Sequence, residues 1–178
     1  MKTNLLSAYL ILVLLFASCG SNSNSGSATH FGVDMDQQFA WTDSPLPNLI
    51  VDNNAHSGRV VCKLDSITPY SPTFNLKKSD MINKEFKEVK VSGYFFIKNA
   101  AAKPMFVIEL KDSANQFIEL NSQDFGGGKS KLNEWVYCEY TLSLTDNDRF
   151  KKAGVYRIYG HNPSAESVLL DDISIDFN

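Results

Sequence analysis

From His30 onward the chain is built of short runs in which apolar and polar residues alternate, cut by turn residues about every 8–14 positions. Arg59–Leu64 sets Val60, Cys62 and Leu64 on one face. Glu88–Lys98 sets Val89, Val91, Phe95 and Ile97 against Lys90, Ser92, Tyr94, Phe96 and Lys98. Met105–Lys111 sets Phe106, Ile108 and Leu110 against Met105, Val107, Glu109 and Lys111. Phe117–Leu120, Trp135–Leu144, Val155–Tyr159 and Ser167–Phe177 continue the pattern. A period of two is the signature of a strand with one buried face. No stretch sustains the 3.6-residue period of a helix, and only Lys77–Phe86 and Asp148–Ala153 leave room for a helical turn. Asp52-Asn53-Asn54, Asn99–Pro104, Asp112–Asn115, Gly126-Gly127-Gly128, Asp146-Asn147-Asp148 and Asn162-Pro163 supply the turns. The pattern predicts an all-β chain of roughly eight to ten strands in an antiparallel sandwich, with no internal repeat.

The first residues follow other rules. Met1–Cys19 reads MKTNLLSAYLILVLLFASC: one charge at Lys2, an apolar run over Leu5–Phe16, then the small pair Ala17-Ser18 before Cys19. The run is short for a membrane span of about 20 residues and fits a secretory leader. Small residues directly before a cysteine resemble the lipobox of bacterial lipoproteins, in which the cysteine is acylated and becomes the new N-terminus. Gly20 rather than Asp after that cysteine resembles the outer-membrane class of the family, at the cell surface or on the periplasmic face. Gly20–Ala28, GSNSNSGSA, has nothing with which to build a core and reads as a tether. The expected organisation is a leader over 1–18, acylated Cys19 with a tether over 19–29, and one folded domain over 30–178.

Composition narrows the partners. The net charge is −3, from 17 Lys and Arg against 20 Asp and Glu. A mildly acidic chain without a basic block is poorly suited to nucleic acid, and membrane contact is expected through the anchor alone. Nothing in the sequence calls for an oligomer, so a monomer is expected.

Three segments carry a further resemblance. Asn54-Ala55-His56-Ser57-Gly58-Arg59-Val60-Val61 resembles the A-H-S-G entry to an early strand of galactose-binding-like jelly rolls. Asn133–Leu142, with Trp135 near its start, resembles a later strand of that family. Val155–Asn162 followed by Val168–Ile175, with Asp171-Asp172-Ile173-Ser174-Ile175, resembles its closing pair. The family is that of carbohydrate-binding modules and their jelly-roll relatives. The resemblance implies a jelly-roll β-sandwich, a glycan ligand, and a structural calcium where the first and last strands meet, with Asp34, Asp36 and Asp171 as ligands. Alternation sets Asp171 beside Leu169, Ile173 and Ile175, where a carboxylate must be paired, hydrogen-bonded or metal-bound. Acceptance of backbone N–H groups is the alternative to calcium.

Other candidates follow from residue chemistry. Sugar faces stack on aromatic rings, which singles out Tyr94 and Phe96 on one strand and Trp135 and Tyr137 on another. Cys62 and Cys138 form an even pair in an oxidising compartment, either bridged or left as two buried thiols. Gly126-Gly127-Gly128-Lys129-Ser130 is no phosphate loop, because Gln123 stands where the first glycine belongs and a strand follows. His30, His56 and His161 lack zinc-ligand spacing. Glu109 and Glu119, on adjacent predicted strands, are the one carboxylate pair to weigh for glycoside hydrolysis, but a solvated face accounts for both. No nucleophile elbow or catalytic triad order appears.

The reading is a non-catalytic glycan-binding lipoprotein, with docking on an envelope protein as the alternative and no catalytic cofactor. Cys19→Ser should move the chain from the membrane to the soluble fraction and abolish its labelling by fatty acid, as fractionation of labelled cells would show.

Overall fold

The computed structural model describes residues 29–36, 47–81, 85–126 and 128–178. The leader, Cys19 and the tether up to residue 28 lie outside the described residues. Among the described residues ten strands form two antiparallel sheets. β1 (Thr29–Val33), β2 (Leu49–Val51), β3 (Val60–Leu64), β5 (Glu88–Ile97), β8 (Trp135–Ser143) and β10 (Val168–Phe177) make the larger. β4 (Phe74–Lys77), β6 (Met105–Lys111), β7 (Phe117–Asp124) and β9 (Val155–His161) make the smaller, in the order β4-β9-β6-β7. The two segments with helical leeway form single 3-10 turns, Lys78–Asp80 and Phe150–Lys152.

β10 organises the larger sheet. One edge pairs with β5 along its length; the other pairs with β3 through Val168–Leu170 and with β1 through Ile173–Phe177. A bulge between Asp171 and Ser174 separates the halves, with Asp172 in the left-handed region at φ 50°. A bulge inserts a residue and exchanges the faces. Val168 and Leu170 therefore point into the core before it, and Ile173, Ile175 and Phe177 after it. Simple alternation put Asp171 on one face with Leu169, Ile173 and Ile175. The bulge leaves Asp171 and Leu169 on the outer face, opposite Tyr94 and Phe96, and turns the two isoleucines inward.

The inner faces match the period-two reading. Val89, Val91, Phe95 and Ile97 of β5 meet Phe106, Ile108 and Leu110 of β6, and Phe95 and Phe106 lie 5.0 Å apart. Each such side chain contributes about 1.5–3 kcal/mol by leaving water. Asn162, fully buried, ties the β9 end to its surroundings. Its Nδ2 donates to the carbonyls of Leu64 (3.3 Å) and Glu166 (2.6 Å), and its Oδ1 accepts from Ser164 Oγ (2.7 Å).

Cys62 and Cys138 are both buried and free. Cys62 lies opposite Leu170 and Cys138 opposite Gly93, so β10 and β5 stand between them. Three strand spacings of about 4.8 Å put the thiols roughly 14 Å apart, beyond the reach of a disulfide. Both faced the core as the sequence implied, but sequence alone does not tell which strands become neighbours. Burial pushes the Cys138 thiol up to about 11, and burial with the nearby Asp171 charge pushes Cys62 higher still. Both thiols should resist alkylation in the native state and react on unfolding, with a Tm unchanged by reductant; mass spectrometry after alkylation and a melt would check this.

Candidate functional site

Asp171 and Asp172 form a clasp on the outer face of the larger sheet. The Asp171 carboxylate, fully buried, accepts the backbone N–H of His56 (3.0 Å), Ser57 (3.2 Å) and Asp172 (2.9 Å). Burial raises its pKa above the usual carboxylate range, while these donors oppose the rise. Asp172 binds the side chains of the same loop: Ser57 Oγ donates to Oδ1 (2.6 Å), and His56 Nδ1 lies 2.5 Å from Oδ2. Asp36 grips the far side of the loop, accepting the N–H of Arg59 (2.7 Å) and Val60 (3.2 Å). Gly58, at φ 55°, lets it approach; a Cβ there would lie 1.9 Å from Asp36 Oδ2.

Among the described residues no three His, Cys, Asp or Glu side chains gather so as to hold a metal ion. The proposed calcium ligands Asp34, Asp36 and Asp171 are therefore not assembled into a donor set. Backbone N–H groups engage Asp171, the alternative that the sequence left open for that residue, and Asp36 accepts backbone N–H groups as well.

The clasp decides the fate of the expected aromatic platform. Tyr94, Phe96, Trp135 and Tyr137 do share one face, with Tyr94 opposite Tyr137 and Phe96 opposite Trp135. The 52–58 loop folds back over most of it. The His56 ring stacks on Tyr94 at 3.6 Å, and Trp135 Nε1 donates to the Asn54 carbonyl at 2.8 Å. Phe96 is buried in a small second cluster with Val61 and Leu169. Tyr137 alone of the four is well exposed, at 52%, and its hydroxyl donates to Glu139 (2.8 Å).

The outer face of the smaller sheet is partly covered: Val107 is buried on it, and Arg157, Tyr159 and His161 are half-buried. Alternation on β9 turns Tyr156 and Ile158 into the core and Arg157, Tyr159 and His161 outward. β6 sets Glu109 opposite Arg157, Val107 opposite Tyr159 and Met105 opposite His161. Tyr70 bridges to His161 from the loop after β3, and the two rings stack at 4.4 Å and 9°. Tyr159 meets Tyr70 edge-on at 5.8 Å. Buried polar groups hold Tyr70 in place: Asn48 Nδ2 donates to its carbonyl (2.8 Å), and Ser71 exchanges hydrogen bonds with Gly160. Tyr70 stays 53% exposed.

Next along the face is a polar ladder. Arg157 Nη1 donates to Glu109 Oε2 (3.2 Å), Arg157 Nε to Asn75 Oδ1 (3.1 Å), and Lys111 Nζ lies 3.5 Å from Glu109 Oε1. Burial first, then the charge of Glu109, holds the Tyr159 phenol above its usual range, so it stays a donor. Glu109 and Glu119 do not converge. Glu109 lies opposite Leu120 and Glu119 opposite Leu110, which puts them on opposite faces, and Glu119 pairs with Arg149 at 3.1 Å.

Arg157, Tyr159 and His161 were readable as an outward set on one strand. Tyr70 was not, because a loop residue carries no periodic signal and only folding brings it to His161.

No protein-family model matches the chain, and no curated protein matches it in sequence. Solved structures do match. The N-terminal CBM22-1–CBM22-2 tandem domain from Paenibacillus barcinonensis Xyn10C aligns over 86% of this chain and 47% of its own, at 14% identity and TM-score 0.53. The CBM22-1 xylan-binding domain of the same protein aligns over 83% and 92%, at 15% identity and TM-score 0.47. The xylan-binding module CBM15 aligns over 85% and 97%, at 9% identity and TM-score 0.48. The likeness is one of fold: an antiparallel jelly-roll sandwich of the kind found in carbohydrate-binding modules.

Burial lowers the His161 pKa below the usual value near 6.5. The unfolded chain therefore takes up this proton first as pH falls. The stabilising contribution is complete above about 6.5 and lost as pH drops through the folded value. NMR titration should place the His161 midpoint below that of a free imidazole, and Tyr70→Ala, by exposing the ring, should raise it.

Proposed function

We propose that this chain is a non-catalytic glycan-binding module whose ligand lies across the outer face of the smaller sheet. One observation carries the reading: exposed Tyr70 and the half-buried Tyr159 and His161 form an aromatic cluster directly beside the Arg157–Glu109–Asn75 ladder. Rings of this kind offer apolar faces to the C–H surface of a pyranose, and fixed donors and acceptors beside them read its hydroxyls. The jelly-roll sandwich is compatible with such a ligand. Tyr137 remains as an accessory contact on the other sheet. Cys19 and its tether would hold the module on the outer membrane, which suits capture of a polymer outside the cell.

A second reading, docking on an envelope protein, draws on β7. This edge strand of the smaller sheet exposes Phe117 and Leu120, and exposed apolar edges are used for pairing with partners.

Xylan, which the two xylan-binding neighbours are named for binding, is the first probe. Tyr159→Ala should weaken retention in affinity electrophoresis by about 2 kcal/mol, or roughly thirtyfold in Kd, with a native melt. Tyr137→Ala should have a smaller effect. Failure of a folded sample to bind any polysaccharide of a broad panel would sink the reading and favour the β7 alternative.

A further inference from the structure

The four-stranded face does not end at Arg157. Beyond it lies a groove of about 880 Å³, lined by Asn75 and Lys77 of β4, by Lys78 and Asp80 of the following 3-10 turn, by Ser113 and Asn115 of the β6–β7 turn, and by Lys151 and Lys152 before β9. Four lysines and one aspartate thus face one groove in a chain whose net charge is −3.

The lysines are unequally engaged. Lys151 pairs with Asp148 at 2.6 Å, and the Lys78 ammonium lies 5.4 Å over the Phe86 ring. Lys77 and Lys152 have no ion pair among the described residues, although Lys152 still acts on Asp148 through space. Asp80 Oδ1 accepts from Ser79 Oγ (2.9 Å), and Asp112 beneath the turn accepts the N–H groups of Ala114 and Gln116. Gly154 lets the β6–β7 turn pack closely against the chain before β9, since a Cβ there would lie 2.5 Å from Ser113 Oγ.

Asn75 links groove and face, because its Oδ1 accepts from Arg157 while its side chain lines the groove. β9 runs from the aromatic pair at His161 to the groove at Val155, a distance of about 20 Å at 3.3 Å per residue. One extended ligand can span both. We infer that the groove binds anionic substituents, carboxylates or sulfate esters, of a polysaccharide whose neutral rings stack on Tyr70, Tyr159 and His161. Lys77 and Lys152 supply the unpaired ammonium groups, and Asn75, Ser113 and Asn115 supply neutral hydrogen bonds. This assignment rests on the glycan reading above and names the class of glycan.

The test is affinity electrophoresis of the full-length chain in neutral detergent against polygalacturonate, chondroitin sulfate and unsubstituted xylan. An anionic polymer should bind more tightly than xylan. Lys77→Gln combined with Lys152→Gln should weaken that binding about tenfold and leave xylan unchanged. Raised salt should act in the same direction, since screening shortens the reach of the ammonium groups to a few ångströms at about 1 M. Preference for polygalacturonate assigns carboxylates, and preference for chondroitin sulfate, which carries carboxylates as well as sulfates, over polygalacturonate assigns sulfate esters. Equal binding of xylan and both anionic polymers, indifferent to the double variant, would overturn the inference while sparing the glycan reading. Anionic binding that depends on the lysines but not on Tyr159, with no xylan binding, would uphold the groove and overturn the face. Displacement by inorganic phosphate at matched ionic strength would reduce the groove to a general anion patch and overturn the saccharide assignment.

Discussion

The buried Asp171 carboxylate is the constraint around which the larger sheet is arranged. A carboxylate out of water must find donors, and Asp171 finds three backbone N–H groups, two of them from the 56–57 loop. Supplying them requires the bulge that turns Asp172 into the left-handed region, and the bulge exchanges the faces of β10. That exchange lets Leu170 and Ile175 both enter one core although five positions separate them. The same strand carries β3 and β1 end to end on one edge and β5 on the other, so an error at Asp171 would reach four strands.

The clasp also divides the two outer faces by role. Where the loop is drawn down, His56 occupies the ring of Tyr94 and Asn54 engages Trp135, so the protein satisfies its own aromatics. On the opposite sheet, hydrogen bonds of Asn48, Ser71 and Asn162 fix the backbone around Tyr70 and His161, and Tyr70 stacks on the His161 ring while remaining exposed itself. Tyr70 is thus held in place while still exposed, which lowers the ordering cost of binding a ligand.

The segments Asn54–Val61, Asn133–Leu142 and Val168–Ile175 meet at this clasp, where His56 and Ser57 touch Asp171 and Asp172 and Trp135 touches Asn54. These three segments thus track a structural device that shapes the fold, while the remaining one, Val155–Asn162, lies on the other sheet and carries Arg157, Tyr159 and His161. Of the aromatics expected to form a platform, Trp135 lies in one of these segments and Tyr94 and Phe96 on the neighbouring β5, so the loop that the clasp draws down largely covers all three.

Alternation alone determined which residues of β3, β5 and β6 face the core, because successive side chains on a strand must point to opposite sides. It also determined the all-β class and the two places where a helical turn fits. Three matters were left to the tertiary structure. Which strands are neighbours decided that Cys62 and Cys138 stand too far apart to bridge. The bulge at Asp171–Asp172, an insertion that no local period announces, decided which way Leu169, Ile173 and Ile175 point. Loop placement decided that one aromatic face is closed by His56 and the other completed by Tyr70. Each depends on contacts between residues distant in sequence, and a period of two encodes only which side of its own strand a residue occupies.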